Sequence, residues 1–208
     1  MKLELHLHTN LYSPCATASP QEQMARLIET GYQAVYITEH DAVWSDDELD
    51  DLRRQFPAIR IFSGVEVTLR QPTGPAGEYN QHLVVLGTDD VEYVNLAGNP
   101  AAVLAKARDE GCLTVLAHPY RWEGSCTILA AGLLPDAIEC HTGNQNDAQA
   151  FIAEALSRQI DIPLVNAGDS HATSMIDRFW IETDQPVDQA RDIRKIVLEG
   201  KYRNCIKE

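Results

Sequence analysis

Residues 3–8 of the chain read Leu-Glu-Leu-His-Leu-His, a short β-strand pattern that ends in two histidines. Alternate side chains of an extended strand share a face, so the pattern directs His6 and His8 to the same side. Apolar runs of similar length recur along the chain and alternate with amphipathic segments typical of helices. Strand–helix alternation of this kind predicts a mainly parallel sheet. We therefore expect an α/β fold whose first strand carries part of a site.

Seven segments have the composition of short buried strands, and a candidate eighth follows them. They are Leu3–Leu7, Ala34–Thr38, Ile59–Ser63, Leu83–Leu86, Leu113–Ala117, Ala137–Cys140, Leu164–Ala167 and then Phe179–Thr183. Seven or eight such units in 208 residues favour a small or distorted (β/α) barrel over an open doubly wound sheet. The segment Gln71–Gln81 breaks the pattern with prolines and glycines, and we predict a loop or hairpin there.

Helix start signals lie between many of these strands. Ser19 and Ser45 each begin a capping box with a glutamate three residues later. Asn99-Pro100 and Asn146 are predicted to begin two further helices, and Val187–Leu198 is predicted to be the last. The length predicts one domain over residues 1–208.

Composition narrows the class of partner. The formal net charge is −14, which argues against tight nonspecific nucleic-acid binding but allows a nucleotide or a strand end at one local site. Five cysteines without a CxxC motif are a poor disulfide framework. No apolar run is long enough to cross a bilayer, and no signal-peptide core follows Met1. We expect a cytoplasmic protein with no membrane partner, and leave its oligomeric state open.

Histidines and carboxylates lie at the predicted C-terminal ends of the strands. These residues are His6 and His8, His40, Glu66, His118, His141, and Asp169 with His171. Of the seven histidines, His82 alone lies elsewhere. The C-terminal ends of barrel strands converge on one face, so groups distant in sequence meet there. Imidazole and carboxylate are the ligands that Zn²⁺, Mn²⁺ or Fe²⁺ prefer in catalytic sites, and Glu66 could bridge two ions. The sequence therefore predicts a cluster of two or three divalent metal ions.

These motifs resemble the PHP (polymerase and histidinol phosphatase) family. The matching segments, in order, are His6-Leu7-His8, Thr38–Asp41, Gly64–Val67, Ala117–Pro119 and Asp169–His171. The resemblance implies a distorted (β/α)7 barrel with a trinuclear metal centre at the C-terminal ends of its strands. It implies a first ion held by His6, His8, Glu66 and Asp169, and a second held by Glu66, His82 and His118. It implies a third ion held by His40, His171 and one residue from the loop after the first strand.

The chain departs from the family pattern at three positions. Glu4 stands where family members commonly have aspartate. Cys15 stands nearest the place of the third ion's loop ligand, which is usually aspartate or histidine. His82 precedes its apolar run, so strand-end reasoning alone would choose His141 for the second ion. We follow the resemblance in assigning His82 to that ion, and we keep His141 as a pocket residue or alternate ligand.

Clustered divalent ions lower the pKa of bound water and clamp the oxygens of a displacement, so the resemblance and the cluster predict a phosphoesterase that uses a metal-bound hydroxide. We assign catalytic roles to Glu66, Asp169, His171 and Asp41, the last as a proton shuttle or an anchor. Arg121, Arg178 and His141 are the predicted substrate-binding residues. The expected substrate is a small phosphomonoester or a nucleotide. The alternatives are a metal-dependent hydrolase of another bond and a non-catalytic, metal-stabilised interaction module.

Overall fold

The computed structural model describes residues 1–70, 80–122, 124 and 126–207. Its strands are β1 (Lys2–Leu7), β2 (Ala34–Ile37), β3 (Arg60–Arg70), β4 (Asn80–Leu86), β5 (Leu113–Leu116), β6 (Ala137–Glu139), β7 (Leu164–Val165), β8 (Phe179–Thr183) and β9 (Tyr202–Ile206). Its α-helices are α1 (Pro20–Glu29), α2 (Asp46–Gln55), α3 (Glu92–Asn95), α4 (Pro100–Glu110), α5 (Thr127–Ala130), α6 (Asp147–Ile160) and α7 (Asp192–Leu198). These elements confirm the α/β class.

The strands form one mixed sheet in the order β7-β6-β5-β4-β3-β2-β1-β8-β9. The strands β1 to β3 are parallel to one another, and so are β5 to β7. The strand β4 runs antiparallel to both of its neighbours, and β8 runs antiparallel to β1 and β9. The sheet curves into a nearly closed barrel, as predicted, although the count of seven strand–helix units is not confirmed.

Side chains join the two edge strands of this sheet. Asn204 on β9 accepts a hydrogen bond from the backbone N–H of Asn166 at 2.7 Å and donates to the carbonyl of Leu164 at 2.9 Å. The Tyr202 hydroxyl donates to the same carbonyl at 2.6 Å. Beyond β7, the N–H of His8 donates to the carbonyl of Ser170, which brings the chain after β7 beside the end of β1. These contacts bring the ends of distant strands together.

The core has an inner and an outer part. One buried cluster takes apolar side chains from β1 through β8 and from α7, so it fills the inside of the barrel. The helix α7 lies at the end where the parallel strands begin, since Arg191 beside it donates to the carbonyl of Gly87, which follows antiparallel β4. Two further clusters pack the outward faces of the strands against the other helices. The opposite end of the barrel, where the parallel strands finish, is left for polar side chains.

The helix signals are confirmed at four of the five predicted starts. Ser19 and Ser45 form complete capping boxes, and the side chains of Asn99 and Asn146 cap α4 and α6. The predicted start of the last helix at Val187 is wrong, because α7 begins at Asp192. The Asp192 carboxylate accepts the N–H groups of residues 188 and 189, which stabilises a turn before the helix.

Two strand predictions also need correction. The strand β3 is longer than predicted and continues to Arg70, so Glu66 lies within it rather than after it. The edge strand β9 was not predicted from the sequence. The predicted loop or hairpin over Gln71–Gln81 lies mostly outside the described residues, and Gln81 itself belongs to β4, which pairs antiparallel with β3.

Candidate metal centre

Two carboxylates and six histidines meet at the end of the barrel where the parallel strands finish. The carboxylates are Glu66 and Asp169, and both are buried. The histidines are His6, His8, His40, His82, His118 and His171. The structure thus brings together every predicted metal ligand except Cys15.

Five imidazole nitrogens lie close to the carboxylate of Glu66, and its two oxygens divide them. The oxygen Oε2 lies 2.7 Å from His40 Nδ1, 3.2 Å from His8 Nε2 and 3.3 Å from His6 Nε2. The oxygen Oε1 lies 2.7 Å from His82 Nδ1 and 3.1 Å from His118 Nε2. Glu66 is therefore placed between two sets of imidazoles, as a carboxylate that bridges two ions must be.

Asp169 serves the other side of the cluster. Its Oδ1 lies 3.4 Å from His8 Nε2 and 3.5 Å from both His6 Nε2 and His171 Nδ1. Its Oδ2 lies 3.9 Å from a guanidinium nitrogen of Arg121. Asp169 is thus shared between the ligand cluster and the one predicted substrate-binding arginine that reaches it.

The ligand atoms are arranged to coordinate divalent cations rather than to hydrogen-bond with one another. Within the described part of the chain, Glu66 Oε2 and Asp169 Oδ1 accept no hydrogen bond although imidazole nitrogens surround both. The facing Nε2 atoms of His6 and His8 are only 2.9 Å apart. Ring nitrogens that crowd a carboxylate oxygen without the direction of a hydrogen bond are oriented as ligands of a common ion. The residues therefore fit the metal cluster that the sequence predicts.

The cluster contains three groups of side chains that could each hold an ion, and the ligand atoms of each group lie within 4.8 Å of one another. They are His6 with His8 and Asp169, His40 with Glu66 and His82, and His8 with His40 and His171. The first two resemble the ion sites that the family resemblance implies. In the third, His8 takes the place that the sequence assigns to Cys15, which is exposed and belongs to none of these groups. Ligation by Cys15 stays a prediction.

The position of His82 follows from the direction of its strand. Because β4 runs antiparallel to β3 and β5, its first residues lie at the end where the parallel strands finish. His82 pairs with Thr68, and its carbonyl accepts the N–H of Ala117, so it lies beside His118. Strand-end reasoning failed for His82 because it assumed a parallel strand.

His141 and Arg178 lie apart from the cluster. The ring of His141 stacks on Phe179 at 5.7 Å, and the guanidinium of Arg178 lies 5.6 Å from the same ring. No contact in the described residues joins either side chain to Glu66 or Asp169. Arg121 differs from both, because it lies over Trp122 at 4.4 Å and reaches Asp169. Of the three predicted substrate-binding residues, Arg121 is therefore the one that lies beside the cluster.

Glu139 is a buried partner of two ligands that sequence reasoning missed. Its Oε1 lies 2.7 Å from His6 Nδ1, and its Oε2 accepts the backbone N–H of His118 at 2.7 Å. A carboxylate acceptor at Nδ1 favours the neutral tautomer that carries its proton there, and in that tautomer Nε2 can bind a cation. The alternation of β6, with Ala137 inside the barrel, was the signal that could have directed Glu139 to the same side.

A second carboxylate orients the other side of the cluster. Glu39 accepts the hydroxyl of Ser13 at 2.5 Å, and the Ser13 oxygen lies 3.2 Å from His8 Nδ1 and accepts the N–H of His40 at 3.1 Å. Asn144 donates to the carboxylate of Asp169. These contacts link distant segments, and no sequence signal indicated Ser13 or Asn144.

Glu4 and Asp41 hold backbone rather than ligand side chains. The Glu4 carboxylate accepts the N–H of Gly168 at 2.7 Å and that of His6 at 3.1 Å. The Asp41 carboxylate accepts the N–H of Thr68 at 2.8 Å, which ties the end of β2 to β3. The contact favours the anchor over the proton shuttle among the two roles predicted for Asp41.

Three residues of this end of the barrel have left-handed backbone conformations. The φ angles of Asp41, His118 and Asp169 are 49°, 28° and 46°. Side chains other than glycine adopt such angles at a cost of about 1–2 kcal/mol each, and residues of this kind cluster at functional sites. The turns direct the side chains of His118 and Asp169 into the cluster.

In the cluster, charge interactions outweigh the effect of burial on the pKa values of His6 and Glu66. Burial alone would lower the pKa of His6, but the charges of Asp169 and Glu66 outweigh it and raise that pKa well above its usual value. Burial would likewise raise the pKa of Glu66, but the charge of His6 and the close imidazole nitrogens of His118 and His40 hold it well below its usual value. Burial, together with the charge of His8, lowers the pKa of His171 to about 4. The carboxylates are therefore ionised, as metal ligands must be.

Barrels with histidines and carboxylates at the C-terminal ends of their strands form a class that includes many metal-dependent hydrolases, and this fold and site belong to that class. The PHP domain model matches residues 4–111, which is more than half of the chain. The chain belongs to the PHP domain family, as its motifs predict. Family membership and the histidine–carboxylate groups together support a metal-dependent hydrolase.

Several solved structures share the fold. PsfC from Pseudomonas syringae PB-5123 superposes with a TM-score of 0.68 at 17% identity, covering 99% of this chain and 91% of that one. A two-domain protein from Bacteroides vulgatus ATCC 8482, described as containing a predicted PHP-like metal-dependent phosphoesterase, superposes with a TM-score of 0.67 at 16% identity. The match covers 99% of this chain and 64% of that one. The lesion-specific endonuclease PfuEndoQ from Pyrococcus furiosus superposes with a TM-score of 0.63 at 12% identity. The match covers 98% of this chain and 57% of that one.

These identities are too low to carry more than the fold. A search of curated proteins found no match. No helix among the described residues is long and apolar enough to cross a membrane.

Proposed function

We propose that the protein is a metal-dependent phosphoesterase that hydrolyses a small phosphate ester, either a phosphomonoester or a nucleotide. The observation that carries the proposal is the division of five imidazole nitrogens between the two oxygens of Glu66. A set of this size exceeds what one ion needs, and it fits two or three ions of zinc, manganese or iron. When bound, such ions lower the pKa of coordinated water and neutralise phosphate oxygens.

The chain's own residues would hold and orient the reacting groups. Glu66 and Asp169 remain ionised and bring the negative charge that the ions require. Glu139 holds His6 with its Nε2 turned to the cluster, and Asp41 fixes the turn that follows His40. His171 lies at the edge of the cluster with 16% of its side chain exposed, where its imidazole can meet substrate.

Arg121 supports a phosphate ester over other bonds. Its guanidinium lies beside Asp169 and is one-third exposed, so it can turn from the carboxylate to a bound anion. The planar guanidinium matches two phosphate oxygens, which a neutral amide or lactone substrate does not offer. The net charge of −14 repels a long polyanion, and this favours a small ester or a nucleotide as the substrate.

The test begins with metal-free protein that is reloaded with Zn²⁺ or Mn²⁺ and assayed against an aryl phosphate and a panel of nucleotides. We expect turnover by the loaded wild type and a loss of at least a hundredfold in Glu66→Gln, because the amide has one acceptor oxygen where the carboxylate offers one to each of two sets of imidazoles. Cys112→Ser is the matched control, since Cys112 is buried just before β5, at the end of the barrel opposite the cluster, and contacts the carbonyl of Gly87. A folded, metal-loaded wild type without activity on any phosphate ester would refute the proposal and favour a binding module.

A further inference from the structure

A second group of metal-ligand side chains lies at the end of β6, outside the metal centre. The sulfur of Cys140, a ring nitrogen of His141 and a carboxylate oxygen of Glu154 all lie within 4.8 Å of one another. Cys140 and His141 directly follow β6, and Glu154 belongs to α6. Among the described cysteines, Cys140 alone is part of such a group. The group shares no residue with the cluster around Glu66.

Thiolate, imidazole and carboxylate are the three protein ligands that zinc uses. Zinc binds sulfur at about 2.3 Å and nitrogen or oxygen at about 2.0–2.2 Å, so tetrahedral ligands lie roughly 3.3–3.7 Å apart. The three atoms reach that spacing with side-chain shifts on the order of 1 Å. Among the described residues, the sulfur of Cys140 has one weak competing contact, to the carbonyl of Ala150 at 3.9 Å.

The surroundings of the group hold two ligands in place and leave the third adjustable. The His141 ring stacks on Phe179 with an interplanar angle of 23°, and the backbone N–H of His141 donates to the side-chain oxygen of Asn166 at 3.2 Å. Cys140 is buried between the strand and α6. Glu154 is half-buried, and its contact with Arg158 at 3.7 Å is a weak pair within the helix, so the carboxylate can turn to an ion.

We propose that Cys140, His141 and Glu154 form a separate zinc site, with water as the fourth ligand. The thiol releases its proton to solvent as the sulfur binds, and the ion joins the end of β6 to α6. The sulfur ligand selects zinc or a similar soft cation over manganese and magnesium, which prefer oxygen. The site is independent of the phosphoesterase proposal, since none of its ligands belongs to the metal centre.

Cobalt titration of metal-free, full-length protein tests the site, because Co²⁺ bound to a thiolate absorbs in the near ultraviolet by charge transfer. We expect this absorption in the wild type and in Glu66→Gln. We expect its loss in Cys140→Ser and weaker cobalt binding in Glu154→Gln, an isosteric change at a partly exposed position that should leave folding intact. Cys112→Ser, which removes another buried thiol, is the matched control and should keep the absorption. Equilibrium dialysis should show one zinc ion fewer in Cys140→Ser than in the wild type.

Three results would overturn the proposal. The first is the absence of a thiolate band in folded wild type saturated with cobalt. The second is a band that survives in Cys140→Ser and disappears in Cys15→Ser, which would assign the thiolate to the metal centre. The third is equal cobalt affinity in Glu154→Gln and the wild type.

Discussion

Replacing Glu139 by glutamine should weaken metal binding without removing any ligand. Both oxygens of Glu139 accept hydrogen bonds, one from His6 Nδ1 and one from the N–H of His118, each at 2.7 Å. Glutamine has a single acceptor oxygen, so one of these two donors must face an amide NH₂ group. Either His6 loses the partner that fixes its tautomer, or the strained turn at His118 loses its anchor.

The size of the effect follows from known partners of metal-binding histidines. Loss of such a partner costs about 10–100-fold in affinity, which corresponds to about 1.4–2.7 kcal/mol. Competition with a chromophoric chelator gives the zinc dissociation constant of metal-free wild type and Glu139→Gln directly. Glu199→Gln is the control, because the Glu199 carboxylate lies far from the cluster in sequence and pairs, in the described part of the chain, with the exposed Lys195 and Lys201. Zinc affinity in Glu139→Gln within about twofold of wild type would refute the reasoning, whereas a wild type that binds no zinc would instead refute the metal centre.

Three further predictions concern substrate, metal and pH. Arg121→Ala should raise KM for an aryl phosphate about tenfold while Arg178→Ala leaves it unchanged, and equal steady-state constants in the two variants would contradict this. A chelator should lower the melting temperature of the metal-loaded protein, because ions that bind only the folded state stabilise it; superimposable melts would argue against resident metal. Burial opposes ionisation of Asp177, but hydrogen bonds from Lys2 and Lys207 prevail and lower its pKa. The resulting stability is present above the ordinary pKa of aspartate and is lost as pH falls through the lowered value. The free energy of unfolding of Asp177→Asn, measured with urea, should therefore lack this decline at acid pH. The same dependence on pH in the variant and the wild type would contradict the assignment.

Most of the strands could be predicted because they are buried. The eight predicted apolar runs correspond to β1 through β8, whose side chains fill the barrel or its outer layer. The strand β9 was missed because Tyr202–Ile206 has two adjacent polar residues and no buried residue at the edge of the sheet, where burial does not impose an apolar run. The direction of β4 could not be predicted, since the apolar run Leu83–Leu86 is compatible with either direction.

The site was predictable wherever a ligand follows a parallel strand. His40, His118 and Asp169 fall at such ends, and the structure brings them together. His82 required the family resemblance, because only the antiparallel course of β4 explains its place. Glu139 was missed because its contact with His6 spans 133 positions of sequence, and one glutamate at the end of a strand carries no sign of its partner. Cys15 stays a prediction, since His8 joins the group that it was expected to complete.

The left-handed turns at Asp41, His118 and Asp169 have a consequence for how this protein tolerates change. Each holds a side chain in a conformation that glycine adopts freely, so part of the folding free energy is spent against these three positions. Glycine at one of them would relieve about 1 kcal/mol of backbone strain while removing a functional group. Selection for thermal stability alone would therefore drift toward inactive variants here, and a stabilised form of the protein is better sought by substitutions on the helices that cover the barrel.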